Sequence, residues 1–255
     1  MDRFAGLPAL LRNRRLTRAS LSLAVVTVLS MATPFSANAT TVQSSLSSTC
    51  DATADSIAAT GASEQLITVI AATSSSTTAS LELLSRVGGC WHRAAGPYRA
   101  FVGLNGLTSH KREGDDTTPM GLFAIQSTMY GVEPNPGVHF PYHHLVCGDW
   151  WDEDSRSALY NHFVHVACGV TPHFGGDSEA LWRTVPQYEY LAVVSYNRSP
   201  VVTGRGSAIF LHVSKGNPTT GCVSIAKVDL LHVLRTLQPD QHPLIDITTE
   251  QLVGR

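Results

Sequence analysis

The sequence lacks the excess of positive charge that nucleic-acid-binding proteins carry. Only 15% of its 255 residues are charged, and 18 basic side chains are balanced by 20 acidic ones. Proteins that bind a phosphate backbone usually present a basic patch or stripe. We therefore expect no nucleic-acid partner.

A hydrophobic segment long enough to span a membrane is also missing. The most apolar stretch, residues 21–31, has eleven residues, whereas a spanning helix needs about 20. Five arginines precede this stretch, and Ala37-Asn38-Ala39 follows it. This order is typical of an export signal. We interpret residues 1–39 as a cleaved signal peptide, with an uncleaved anchor as the alternative, and expect a secreted protein with no membrane span after cleavage.

Cysteine is scarce, and its number is odd. Two pairs leave one over from the five cysteines, and in an exported protein such pairs are expected to form disulfides. The spacing favours Cys147–Cys168, around a compact aromatic segment, and Cys50–Cys90, which would tie the N-terminal segment to the domain. Cys222 would then be a free thiol. A buried inert cysteine or another pairing is the alternative.

Helical patterns are few, and apolar runs of strand length dominate after residue 64. Residues 40–63 are rich in Ser, Thr and Ala and are predicted to be a flexible linker with one short helix, Asp51 to Thr60. Residues 64–250 are predicted to form one mainly β domain. Its strands are expected near residues 65–70, 80–84, 98–104, 121–127, 191–196, 208–213 and 245–247. One helix is expected over Ile225–Leu237, with Val228, Leu231, Leu234 and Leu237 on its apolar face.

The feature with the clearest chemical meaning is the segment from Phe210 to Ser224. A strand carries His212, a polar loop follows, and Gly221-Cys222 precedes the predicted helix. An imidazole can take the proton of a thiol, and a helix N-terminus stabilises a thiolate. The pattern predicts Cys222 as a nucleophile and His212 as its base; a core histidine and a structural cysteine are the alternative.

The residues around Cys222 would support a developing negative charge on a substrate carbonyl. Gly221 allows close approach of the backbone, and the Gly221 and Cys222 amides would form an oxyanion hole. Thr219 or Thr220 would add a hydroxyl donor or fix the loop.

This segment resembles the active-site signature of L,D-transpeptidases of the YkuD type, in which a strand histidine precedes Ser/Thr-His-Gly-Cys. An upstream segment, Glu113-Gly114-Asp115-Asp116-Thr117-Thr118-Pro119-Met120-Gly121-Leu122-Phe123, resembles a second element of that family. The resemblance covers roughly residues 65–248. The Thr-Gly-Cys-Val sequence at residues 220–223 is similar to a branch found in actinobacterial proteins.

The resemblance implies a YkuD fold, β-sandwich-like with one helix after the cysteine, and a cysteine acyltransferase without a cofactor. Cys222 would attack the third residue of a peptidoglycan stem peptide, release the terminal D-alanine and pass the acyl group to an amine, forming a 3→3 crosslink. Carbapenems would be inhibitors. The sequence departs from the family pattern at Thr220, where a histidine is usual, at Ser224, and in a shorter loop after His212.

Several other residues are weaker candidates. Aromatic and amide side chains that could line a substrate groove are Tyr142, Trp150, Trp151, Tyr160 and Asn161; packing is an equal alternative for them. His162 and His165 have the spacing of a zinc pair, but no second pair accompanies them, and we expect no metal. Rival functions are an L,D-carboxypeptidase, another cysteine peptidase, a zinc peptidase and an inactive peptidoglycan-binding domain.

Overall fold

The computed structural model describes residues 50–57, 59–175 and 178–253. The predicted signal peptide and residues 40–49 of the predicted linker lie outside these ranges. In the described part, two α-helices accompany fourteen strands. The helices are α1 (Ala52–Asp55) and α2 (Lys227–Thr236). The strands are β1 (Gln65–Ala71), β2 (Thr78–Val87), β3 (Cys90–Phe101), β4 (Leu107–Thr108), β5 (Thr118–Pro119), β6 (Gly121–Gly131), β7 (Tyr142–His144), β8 (Asp149–Asp152), β9 (His162–His165), β10 (Glu179–Ala180), β11 (Leu191–Val194), β12 (Phe210–Val213), β13 (Val223–Ile225) and β14 (Leu244–Thr249).

The prediction of a mainly β fold is confirmed. Nine strands form one sheet in the order β11-β12-β13-β3-β2-β1-β14-β6-β7, and β11 also pairs with β6. This extra pairing closes eight of the strands into a ring, so that β11 and β6 are not free edges. Three short strands, β10-β8-β9, form a separate small sheet.

The apolar runs in the sequence correspond to strands that are buried on both faces. In β12, Leu211 and Val213 contribute to the main core, whereas Phe210 packs in a second cluster on the other face. In β1, Ile67 and Val69 face the main core, whereas Leu66 belongs to a third cluster. Burial on both faces removes the alternation of apolar and polar residues that marks a half-exposed strand.

Residues 50–57 pack against the barrel wall. The Asp51 carboxylate caps α1 by accepting a hydrogen bond from the Ala54 amide at 2.9 Å. Ala54 is buried with Leu66, Leu84 and Trp91. The disulfide Cys50–Cys90 joins this segment to β3. These contacts lie within the range that the sequence predicts to be a linker.

Cys147 is bonded to Cys168, which places a disulfide beside the small sheet. Cys222 is the one free cysteine. These are the pairs expected from the cysteine count.

This arrangement predicts the outcome of thiol mapping. Protein unfolded in urea and alkylated without a reductant should be labelled at Cys222 alone, whereas reduction first should expose all five cysteines. The two disulfides join residues that are 40 and 21 positions apart. Reduction should therefore lower the free energy of unfolding by about 3 kcal/mol for each disulfide. Label on Cys147 or Cys168 without reductant would contradict the pairing.

The predicted apolar face of helix α2 is confirmed in part, since Leu234 and Leu237 are buried and Leu231 packs partly buried against the main core. The buried stripe is Leu230, Val233, Leu234 and Leu237, whereas Val228 is 73% exposed. The helix begins only at Lys227, so Val228 lies in its first turn and points to solvent. At the other end the Gln65 side chain donates to the Thr236 carbonyl at 2.9 Å.

Asp246 is a buried carboxylate on β14 that destabilises the fold when it is ionised. Burial raises its pKa to about 6. The folded protein therefore binds the carboxyl proton of Asp246 more tightly than the unfolded chain does. The stability gained from this tighter binding is lost as the pH rises from about 4 to about 6.

Asp246→Asn is therefore expected to stabilise the protein at pH 7 by about 1–2 kcal/mol, after allowance for partial solvation. The gain should vanish at pH 4, where the wild-type carboxyl is protonated. Denaturant unfolding at both pH values would measure it, with the exposed Asp240→Asn as the control. Equal stability of wild type and Asp246→Asn at pH 7 would contradict this account.

Candidate active site

Cys222 directly precedes β13 and lies on the outer face of the barrel wall. Its Sγ donates to the Ala208 carbonyl at 3.2 Å and accepts from the Phe210 amide at 3.4 Å. The residue is only 7% exposed. Burial, and secondarily the charge of Glu179, raises the pKa of the thiol well above its ordinary value. Cys222 is therefore a neutral thiol in the resting protein.

His212 lies on β12, which pairs in parallel with β13 so that His212 is opposite Ser224. Side chains alternate along a strand, so Ser224 and Cys222 share the face from which His212 projects. The imidazole Nδ1 lies 2.8 Å from the Val213 carbonyl oxygen. A carbonyl can only accept, so the proton is on Nδ1 and Nε2 has a free lone pair. Burial lowers the pKa of His212 to about 4.

Two cavities lie against Cys222. The smaller, of about 190 Å³, contains Cys222 and His212 together in its lining. The larger, of about 430 Å³, reaches Cys222 from the side of Lys111 and Gly221. Glu179, Thr220 and Cys222 line both. A substrate carbonyl at the sulfur would therefore have room on two sides.

The two pKa shifts define the resting state of the pair. The shift of the thiol and that of the imidazole both favour the neutral forms, because the site is shielded from water. Transfer of the thiol proton to the imidazole is therefore unfavourable in the resting site.

The loop before Cys222 is held in one conformation by threonine hydroxyls. Thr219 Oγ1 donates to the Cys222 carbonyl at 2.6 Å and accepts from the Gly221 amide at 3.1 Å. Thr118 Oγ1 donates to the same carbonyl at 3.3 Å. The Gly221 amide is therefore engaged within the loop, whereas the exposed Thr220 lines both cavities.

Gly221 occupies a position that other residues fit poorly. Its φ of +144° lies outside the range that side chains favour, and a Cβ there would lie 3.0 Å from the Thr117 carbonyl oxygen and 3.2 Å from Lys111 Nζ. Glycine before the cysteine thus lets the loop pass close to the segment of residues 111–118.

Residues 111–118 lie against the loop before Cys222 and are held in place by an ion pair and hydrogen bonds. Lys111 and Asp115 form an ion pair of 2.7 Å in which the lysine side chain is only 3% exposed. Asp115 also accepts from the amides of Arg112 and Thr117 at 2.7 and 3.0 Å. The Lys111 ammonium and these amides hold the pKa of the Asp115 carboxyl below its usual range, although burial opposes them.

The five residues interpreted as substrate contacts do not line either cavity at Cys222. Their polar groups are used in the fold. Asn161 accepts from Trp151 Nε1 at 3.0 Å and from the Ala208 amide at 3.1 Å. The Tyr160 hydroxyl donates to Glu113, and that of Tyr142 donates to the Glu133 carbonyl at 2.7 Å.

Trp150 lies elsewhere, in a groove beside the Cys147–Cys168 disulfide. The cavities at Cys222 therefore do not include these five residues, and a substrate contact for them stays a prediction. The composition of an aromatic segment does not show which way its side chains point.

The expected helix N-terminus is absent from Cys222. The cysteine leads into β13, and α2 begins five residues later, at Lys227. A helix dipole acts mainly within its first turn, so it contributes little to the thiolate. Val223-Ser224-Ile225 forms a short buried strand that sequence periodicity cannot distinguish from the start of a helix.

Glu179 and Tyr188 are cavity residues that sequence analysis missed. The Tyr188 ring packs edge-on against His212, with ring centroids 5.6 Å apart, and its hydroxyl donates to the Glu179 carboxylate. Both residues precede the His212–Cys222 segment by at least 24 positions, and neither belongs to a local motif. Tertiary packing brings them to the site: Glu179 comes from β10 of the small sheet, and Tyr188 comes from a 3-10 turn, Gln187–Glu189, that packs against β12.

Comparison with known proteins identifies the family of the chain. A family model described as the YkuD L,D-transpeptidase catalytic domain matches residues 91–245, which is more than half of the chain. The chain therefore belongs to the YkuD family, whose members are cysteine-dependent L,D-transpeptidases. Searches of curated proteins and of solved structures found no significant match.

Proposed function

We propose that this protein is a peptidoglycan L,D-transpeptidase that forms 3→3 crosslinks. The observation that carries the proposal is the placement of Cys222 and His212 on one face of two paired strands, in a single cavity, within a chain of the YkuD family.

In the first half-reaction the Cys222 sulfur attacks the carbonyl of the third stem residue. Nε2 of His212 takes the thiol proton and gives it to the departing D-alanine amine, so that a thioester remains. The Cys222 amide and the exposed Thr220 hydroxyl are the candidate donors to the oxyanion. In the second half-reaction an acceptor amine displaces the sulfur and a new amide forms.

We also propose that this reaction takes place outside the cytoplasm. The disulfides Cys50–Cys90 and Cys147–Cys168 support this location, because such bonds persist in oxidising compartments. None of the helices in the described ranges has the length and apolar character needed to cross a bilayer.

Mass spectrometry of the protein incubated with tetrapeptide stems would test the proposal. The expected product is a crosslinked dimer that has lost one D-alanine, absent with Cys222→Ala. Tripeptide as the only product would instead show that water is the acceptor and that the enzyme is an L,D-carboxypeptidase. Unchanged stems with a folded wild-type protein would overturn the proposal.

A further inference from the structure

Glu179 is a carboxylate that the first half-reaction does not use. It begins β10, where it pairs with Trp151 of β8, and it lines both cavities that border Cys222. A ligand that reaches the sulfur through either cavity therefore meets this side chain.

The same tyrosine that touches the base also holds Glu179. Tyr188 is only 3% exposed, donates its hydroxyl to the Glu179 carboxylate and packs edge-on against His212 and Phe210. Glu179, Tyr188 and His212 thus form a connected row beside the sulfur. A carboxylate with a buried tyrosine as its partner is positioned more firmly than one on a loose loop.

The charged and titratable groups around Glu179 come from several elements. The larger cavity adds Lys111, Glu113, Asp116 and Glu153, and the smaller one adds His212, Lys215 and Tyr188. Lys111 is already paired with Asp115. Burial raises the pKa of Glu179 to about 7, although the hydrogen bond from Tyr188 opposes this. Glu179 therefore exchanges a proton in the neutral range.

The second half-reaction needs a proton acceptor besides His212. An alkylammonium has a pKa of about 10 and must lose one proton before it can attack and a second as the amide forms. His212 carries one of these protons to the departing sulfur, so another group must take the other. The Glu179 carboxylate can take it, and its negative charge would also attract the ammonium.

We propose that Glu179 binds the ammonium of the acceptor and takes its first proton, and so directs the acyl-enzyme toward an amine rather than water. This inference rests on the proposed transpeptidase function. The amine nitrogen then attacks the thioester carbonyl, a C–N bond forms, and the C–S bond breaks. The second N–H proton passes through His212 Nε2 to the departing Cys222 sulfur, and Glu179 releases its proton to solvent.

The test is the ratio of amine transfer to hydrolysis, measured by mass spectrometry with a tetrapeptide donor and an amine acceptor. Glu179→Gln is expected to lower this ratio about 100-fold, a typical effect of losing a general base. Formation of the acyl-enzyme should not fall, because the nucleophile and its base remain and removal of the Glu179 charge lowers the pKa of the thiol. In the wild type the ratio should rise through about pH 7; in Glu179→Gln that rise should be lost.

Tyr188→Phe provides a second test, since it keeps the ring against His212 and removes the hydrogen bond to Glu179. Without that donor the pKa of Glu179 should increase, so the midpoint of the transfer ratio should move to higher pH. The matched control is Glu189→Gln, which removes a nearby carboxylate that pairs with Lys227 at 3.0 Å and should leave the ratio unchanged.

An unchanged ratio in Glu179→Gln, or an equal loss of acylation and transfer, would overturn the inference. If Glu179→Gln does not fold, an unmoved midpoint in Tyr188→Phe would overturn it. If the wild-type protein forms an acyl-enzyme and transfers it to an amine, either of these results with the variants leaves the proposed function standing. A folded wild type that no stem acylates overturns the proposed function and this inference together.

Discussion

Replacing Cys222 by alanine should reduce turnover by about 10⁴-fold or more, because removing a nucleophile removes the covalent route. Cys222→Ser should be almost as inactive. A serine hydroxyl is much harder to ionise than a thiol, and His212 with its low pKa is too weak a base to compensate. Release of D-alanine from a tetrapeptide stem would measure both variants.

These variants should remain folded, so that the loss of activity is chemical. The thiol contributes one buried atom to a cluster with Trp151, Tyr188 and Phe210, and the serine hydroxyl can still donate to the Ala208 carbonyl. Each variant should unfold within about 1 kcal/mol of wild type. Retention of substantial D-alanine release by folded Cys222→Ala would show that another residue is the nucleophile.

Replacing His212 by alanine should cost about 10³- to 10⁴-fold in the acylation step, near the upper range for a general base. Burial lowers the pKa of His212 to about 4, so the imidazole stays neutral and able to accept a proton down to that pH. The wild-type acylation rate should therefore fall on the acid side only as the pH approaches about 4, well below the ordinary histidine range.

Rapid-quench measurement of acylation between pH 3.5 and 7 would check both statements. His232→Ala is a suitable control, because His232 lies on α2 and contacts Tyr98, remote from both cavities. If His212→Ala acylates nearly as fast as wild type, or if the acid limb lies near pH 6.5, then His212 is not the base.

The candidate nucleophile and base could be predicted from the sequence because both lie in one short segment. A strand histidine, a glycine that permits an unusual φ and a cysteine after it are consecutive features of residues 212–222. The closed order of the large sheet was not readable, because pairing of β11 with β6 joins segments about 60 residues apart.

The errors in detail have physical causes as well. Val228 is exposed because a constant spacing of three residues drifts around an α-helix, which has about 3.6 residues per turn, so Val228 does not share the face of Leu234 and Leu237. Glu179 reaches the site through the small sheet, and Tyr188 through the 3-10 turn Gln187–Glu189 that packs against β12. Their contribution depends on tertiary packing, and no spacing along the chain encodes it.

The most direct test of the account is the intact mass of the protein after exposure to a carbapenem. A strained β-lactam carbonyl resembles the acyl donor, and a thiolate formed beside an oxyanion site should open it to a thioester. The account predicts a single covalent adduct on the wild-type protein and none on Cys222→Ala. An adduct of the same yield on Cys222→Ala, or no adduct on folded wild-type protein, would contradict Cys222 as the acyl-accepting nucleophile.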